Sequence, residues 1–122
     1  AGINGAAIRL FEAGEELAVT EGIETAIAVH LATSKPVWAG LSAGNLEKLW
    51  LPDSVRKVCI YADNDADADF DGQALAFALA RRLKKEERRT GPRAVQVFVP
   101  RQPGMDWADV WRARVESARR ST

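Results

Sequence analysis

Cysteine and histidine are almost missing from this sequence: Cys59 and His30 each stand alone. One cysteine cannot close an internal disulfide, and one cysteine with one histidine cannot build a structural zinc site, so both kinds of scaffold are excluded. An excess of charge of one sign is missing too. Seventeen Lys plus Arg face seventeen Asp plus Glu, for a formal net charge of zero. Bulk attraction to nucleic acid or to an anionic membrane is therefore not written into the balance, and such binding has to come from local patches. No apolar run approaches the roughly 18 to 20 residues that span a bilayer, and the N-terminus lacks a basic segment followed by an apolar stretch. The expected address is the cytoplasm, with no membrane partner. No initiating Met precedes Ala1, and residues 1–7 read like the interior of a longer chain, so an excised domain is expected.

What is present fits one globular domain. The chain has 122 residues, 47% apolar and 7% aromatic, with 9 Gly and 5 Pro, which speaks against global disorder and leaves little room for a second core. No repeat, low-complexity tract or internal linker interrupts it.

Short apolar runs alternate with segments of helical period, the pattern of an α/β domain with a mostly parallel sheet. Strands are expected at Leu17 to Thr20, Pro36 to Leu41, Val58 to Ala62 and Val95 to Val99. Helices are expected at Ile23 to Ala32, with apolar residues at Ile23, Ala26, Ile27 and His30-Leu31 in helical spacing, and at Asn45 to Leu51, Gly72 to Arg89 and Asp106 to Arg119. Ala7 to Phe11 reads as a further strand, joined to the first through the turn Glu12 to Glu16 and antiparallel at an edge. Trp38, Trp50, Trp107 and Trp111 read as packing residues, and His30 and Cys59 as core.

In an open α/β sheet, ligands sit beyond the carboxyl ends of the strands, where loops are free and helix N-termini carry partial positive charge. Glu21-Gly22 follows the first expected strand, Gly40-Leu-Ser-Ala-Gly44 the second and Asp63-Asn-Asp65 the third; Asp106 and Asp109 come shortly after the fourth. Carboxylates so gathered repel one another unless a cation joins them. Magnesium is the natural partner, since it prefers oxygen ligands and uses one or two carboxylates together with substrate phosphates. Gly22 is read as allowing a sharp strand-to-helix turn and close approach of a ligand. Ser42 and Gly44, ahead of a helix, could present backbone N–H groups to a phosphate or simply cap that helix. Asp106 and Asp109 likewise admit two readings, metal ligands or the cap and first-turn acid of the last helix.

Glu21-Gly-Ile-Glu-Thr-Ala26, then Ala62-Asp-Asn-Asp65, then Gly72-Gln73-Ala74 opening a long helix, together resemble the Toprim domain shared by bacterial primases, topoisomerases, OLD-family nucleases and recombination-repair proteins. Leu41-Ser-Ala-Gly44 and Asp106-Trp-Ala-Asp-Val110 make the variant similar to that of plasmid and phage primases and primase-helicases. The resemblance covers about Leu17 to Trp111. It implies a Rossmann-like Toprim fold: a four-stranded, mostly parallel central sheet flanked by helices, with the extra edge strand in front. Residues 1–16 would form that strand and turn, and residues 17–122 the Toprim domain.

The resemblance further implies Glu21 as catalytic acid or base, Asp63 and Asp65 as magnesium ligands, and Asp106 and Asp109 as a later acidic pair aimed at the same metal. Mn2+ is the expected substitute for Mg2+. The implied reaction is nucleotidyl transfer by a DNA primase, making RNA primers from ribonucleoside triphosphates on a single-stranded DNA template, with a helicase domain or protein as a further partner. Phosphodiester cleavage of the OLD-nuclease kind and a non-catalytic module recruiting DNA or a helicase are the alternatives. The isolated domain is expected to bind metal and nucleotide without necessarily making primers.

The sequence departs from the pattern twice. Replicative primases carry an aspartate four residues after the glutamate, where this chain has Thr25 with Glu24 beside it. The acidic loop is also long, with five aspartates in the nine residues from Asp63 to Asp71. Asp67 to Gly72 fits the opening of an EF-hand, but Ala78 stands where a bidentate Glu is required, so a solvated loop is the better reading. Arg81, Arg82, Lys84 and Lys85 on the long helix are candidate nucleic-acid contacts, or an ordinary solvated face.

Overall fold

The computed structural model describes residues 8–40, 45, 49–66 and 69–120. Ser42, Gly44 and Asp67, with residues 46–48 of the expected helix Asn45 to Leu51, lie outside the described residues; Leu49 to Leu51 are described and are not helical, so that helix does not reach Leu51.

Five strands form one sheet: β1 (Ile8–Arg9), β2 (Glu16–Thr20), β3 (Val37–Ala39), β4 (Lys57–Tyr61) and β5 (Ala94–Phe98), in the order β1-β3-β2-β4-β5. The pairings among β3, β2, β4 and β5 are parallel, and β1 closes one edge antiparallel to β3. The N-terminal strand is thus antiparallel at an edge, as expected. Its partner is β3, while both sides of β2 are taken by parallel neighbours, Thr20 facing Ala39 on one side and Tyr61 on the other. The middle strands are covered on both faces, so Leu17, Ala18 and Val19 of β2 and Val58, Cys59 and Ile60 of β4 are all fully buried.

Four described helices flank the sheet: α1 (Ile23–Thr33), α2 (Asp71–Lys85), α3 (Glu87–Thr90) and α4 (Trp107–Arg120). One core layer, between the sheet and α2, joins Leu17, Val19, Val58 and Ile60 to Ala76, Leu79 and Leu83. The other, beneath α1 and α4, joins Ala18, Val37, Cys59 and Tyr61 to Ala26, Val29 and Trp107. Tyr61 stacks on Phe98 at 5.0 Å and meets the edge of Trp107 at 5.5 Å. Two layers of helix on a single sheet bury both its faces, which is why its strands read as continuous apolar runs.

Several expectations are corrected. The long helix breaks at Glu86 instead of running to Arg89: the Glu86 N–H donates to the Arg82 carbonyl at 3.0 Å, and the short turn α3 follows before Gly91 at φ 86°. Ile23, Ile27 and Leu31 of α1 face solvent, because the small residues Thr25, Ala26 and Ala28, with Val29, bring the other face of the helix onto the sheet. Trp50 is 57% exposed and is no core residue; the Arg9 guanidinium lies 5.5 Å from its ring. His30 is half-buried rather than core, stacked on Phe11 at 3.9 Å with Nδ1 2.7 Å from the Lys35 carbonyl oxygen. Among the described residues no helix is long and apolar enough to cross a membrane.

Candidate active site

Three adjacent parallel strands, β2, β4 and β5, deliver their acidic followers to one edge of the sheet. Glu21 stands one residue beyond β2, Asp63 and Asp65 lie just beyond β4, and Asp106 and Asp109 open α4 after the β5 loop. Asp63 is half-buried at the centre of this group. Burial, then the charges of Asp106, Glu21, Asp65 and Asp109, push its carboxyl up from 3.8 to about 7. Glu21 is also raised, by burial first and by Asp65 second. The structure therefore brings together all five acids singled out in the sequence. Among the described residues only Asp109 of the five has an ion-pair partner, Arg112, at 2.5 Å.

Asn64 ties the segments together. Its backbone N–H donates to the Met105 carbonyl at 2.9 Å and its carbonyl accepts from Gly104 at 2.7 Å, which fastens the end of β4 to the segment leading into Asp106. Its side-chain Nδ2 donates to the Pro100 carbonyl at 2.7 Å. Its Oδ1 accepts from Ala66 N–H at 3.1 Å and from Gln73 Nε2 at 2.9 Å. Gln73 completes the clamp by accepting the Asp65 N–H on Oε1 at 2.9 Å. Every polar atom of the buried Asn64 amide is thereby used, as a polar group removed from water requires.

Gly72 supports Asp65 from the start of α2, donating its N–H to Asp65 Oδ2 at 2.9 Å. A Cβ at this position would stand 2.3 Å from that oxygen. Close approach, not left-handed backbone, is the reason for glycine here. Gly22 is different: it caps α1 in an extended conformation at φ −106°, and a Cβ there would meet nothing within 4 Å. The turn after β2 does not itself demand glycine, contrary to the expectation from sequence; Thr20 holds it by donating Oγ1 to the Gly22 carbonyl at 2.9 Å.

Asp106 and Asp109 form a reciprocal cap. The Asp106 N–H donates to Asp109 Oδ2 at 3.1 Å, and the Asp109 N–H donates to Asp106 Oδ1 at 2.7 Å. The bond to the Asp106 backbone, followed by Arg112, holds the Asp109 carboxyl below the usual carboxylate range. Asp109 thus has both oxygens engaged. Thr25 is buried, and Glu24 does not replace the missing aspartate, since its carboxylate reaches outward to Arg112 at 3.0 Å.

The basic residues of α2 divide. Arg82 turns to the Leu49 carbonyl and to Glu86. Lys84 binds Glu87 and the Arg93 carbonyl. Arg81 and Lys85 are exposed. Sequence reasoning did not single out Asn64 or assign Gln73 a task; an amide between two strand-end aspartates, with a second at the opening of the following helix, is the signal that was available.

The donor set suits a hard divalent cation. Among the described residues the five carboxylates have one ion-pair partner, Arg112, and it serves Asp109. No group of three Asp, Glu, His or Cys side chains among the described residues converges closely enough to enclose an ion. Magnesium does not require such a cage, since it keeps much of its water and takes one or two carboxylates.

An acidic cluster at the carboxyl edge of a parallel, Rossmann-like sheet places the chain among the open α/β domains, whose ligands sit beyond the strand ends. Residues 16–117 match the family model of the Toprim domain, and the chain belongs to that family. Its fold is similar to that in a crystal structure of a DNA primase domain from Pseudomonas aeruginosa, with a TM-score of 0.56 at 18% identity over 88% of this chain. The match covers 33% of that structure's chain, so this chain spans about a third of its length. No curated protein matches the sequence.

Proposed function

We propose that this chain is the catalytic Toprim part of a DNA primase, carrying out Mg2+-dependent nucleotidyl transfer to build RNA primers on single-stranded DNA. The observation that carries the reading is Asp63: a half-buried carboxyl surrounded by four other acids has a charge deficit that a divalent cation would fill. Mg2+, when bound, neutralises phosphate oxygens and favours ionisation of an attacking hydroxyl.

Asp63 and Asp65 would hold the ion, with Asp106 completing the donor set. Asp109 acts as a positioning residue, since its oxygens fix the Asp106 backbone and Arg112. Glu21, raised by burial, is the group to accept the proton of the attacking 3'-hydroxyl at its carboxylate. Gln73 and Gly72 orient Asp65, and Asn64 fastens the segment that carries both aspartates. The template strand and ribonucleoside triphosphates are the partners this chemistry needs. The likeness in fold to the Pseudomonas aeruginosa primase domain is what supports naming primase first, with a Toprim-type nuclease as the other reading the family allows.

The test is a Mn2+ titration of isotopically labelled protein, followed by primer synthesis in the parent protein with Glu21→Gln. Amide signals of Gly22, Asn64 and Asp106 should broaden together at low metal. Glu21→Gln should keep that broadening and lose synthesis by about 100-fold or more. Broadening confined to Asp69 to Gly72, or synthesis indifferent to Glu21→Gln, refutes the reading. Cleavage of a labelled strand in place of synthesis assigns the site to a nuclease.

A further inference from the structure

Along the outer face of α2, aromatic and cationic side chains share one stripe. Ala74, Phe77, Arg81 and Lys85 follow one another at spacings of three and four, which keeps them on a single side of the helix, and Phe70 immediately precedes its first turn. All five are exposed, the two phenyl rings by 55% and 56%. Ala76, Leu79 and Leu83 on the opposite side are buried. Arg88 extends the stripe across the break at Glu86, and Arg81, Lys84, Lys85 and Arg88 line an open depression of about 720 Å³.

The cations of this stripe are free in a way their neighbours are not. Arg82, Lys84 and Arg89 are engaged by Glu86, Glu87 and Asp53. Arg81, Lys85 and Arg88 have no ion-pair partner among the described residues. Glu87 borders the same depression, but its carboxylate is occupied by Lys84 and by the Arg93 N–H at 3.1 Å. At the other end, Phe70 sits beside the acidic cluster, its N–H donating to the Asp65 carbonyl at 2.8 Å. It does so at φ 61°, a left-handed conformation that is costly for a bulky residue.

We infer that this face is a binding track for single-stranded nucleic acid, with unpaired bases stacking on Phe77 and Phe70 and the phosphate backbone lying along Arg81, Lys85 and Arg88. Exposed aromatic faces followed by unpaired cations are the two elements that non-specific single-strand binding combines. A duplex would keep its bases out of reach of the rings. The track is about 20 Å long, from the 1.5 Å rise of a helix, and it starts at the carboxylates. It rests on the primase reading for its direction, aromatic end toward the reacting groups.

The test is fluorescence anisotropy of a labelled oligodeoxythymidylate of about 20 nucleotides over a range of salt, in EDTA so that the metal centre takes no part. The triple variant Arg81→Gln, Lys85→Gln, Arg88→Gln should bind at least ~10-fold more weakly at low salt, with a log–log salt slope shallower by about 2. Phe77→Leu should lose ~5-fold or more with the salt slope unchanged, because stacking releases no counterions. Arg114→Gln, on α4 in the other layer, should bind like the wild type. Thermal melts of the variants report on folding, and exposed positions should leave them unmoved.

Wild-type protein without saturable binding up to ~100 μM, or variants that bind normally, overturns the inference. Polyglutamate competing as well as the oligonucleotide would also overturn it, pointing to an acidic protein partner. Binding that follows these variants while metal binding or synthesis fails sinks the primase proposal and leaves the track standing. Glu21-dependent synthesis with binding indifferent to these variants does the reverse.

Discussion

Gly72 and Asp65 meet where a side chain on the first would displace the second: the Gly72 N–H lies 2.9 Å from Asp65 Oδ2, and a Cβ would lie 2.3 Å from it. Gly72→Ala should therefore turn the Asp65 carboxylate away while leaving α2, whose helical propensity it improves, in place. Calorimetric titration should show Mn2+ affinity reduced by about tenfold, the size expected when a group orienting a ligand is lost. Unchanged affinity would mean that Asp65 is not held for a metal.

Asp63 gives the metal-free protein a pH dependence of definite sign. Its carboxyl titrates near 7 in the fold against 3.8 as the ordinary value, so between those limits the folded state binds the extra proton. Its contribution to stability is greatest at low pH and is lost as pH rises from about 4 to about 7. Asp63→Asn should thus stabilise the metal-free protein at pH 8, by something on the order of 1 kcal/mol or a few degrees in Tm. The gain should vanish near pH 4, and added Mg2+ should raise the wild-type melting temperature more than that of the variant. A variant less stable than wild type at pH 8 would contradict the charge crowding.

Asn64→Ala removes the side-chain anchors to Pro100, Ala66 and Gln73 together. Leaving the Gln73 amide and the Pro100 carbonyl unsatisfied should cost about 2–3 kcal/mol in chemical denaturation. Gln73→Leu, which spares the Pro100 bond, should cost less stability yet weaken metal binding, because it frees the Asp65 N–H. Equal stability losses with no effect on metal would assign both amides to scaffolding alone.

Arg93 is only 2% exposed, and its side-chain bonds are to the backbone carbonyls of Val55, at 2.8 Å from Nε, and Pro52, at 2.9 Å from Nη2. Burial holds its guanidinium below the usual range. Arg93→Ala should destabilise by about 2–4 kcal/mol, through two unpaired carbonyls and a cavity. Metal affinity should stay unchanged, since the residue sits at the opposite end of the strands from the acids.

The alternation of apolar runs with helical periods determined the α/β class, and the acids following the runs were legible as a group, because side-chain periodicity and the strand-end position of ligands are local properties. The Toprim resemblance rested on the same residues, Glu21, Asp63 and Asp65 foremost, and the family match over residues 16–117 agrees with it. Tertiary structure decided the rest. That β1 pairs with β3 depends on which edge remained open once β2 was covered on both sides. That Ile23, Ile27 and Leu31 face outward depends on which side of α1 is small enough to approach the sheet. Arg82 and Lys84 look like Arg81 and Lys85 in the sequence, and only the carbonyls and carboxylates within reach separate the engaged pair from the one without an ion-pair partner among the described residues. The clamp of Asn64, Gln73 and Gly72 around the two aspartates belongs to the same category: its hydrogen bonds join segments that no periodicity connects, and the need to satisfy buried polar groups selects its partners.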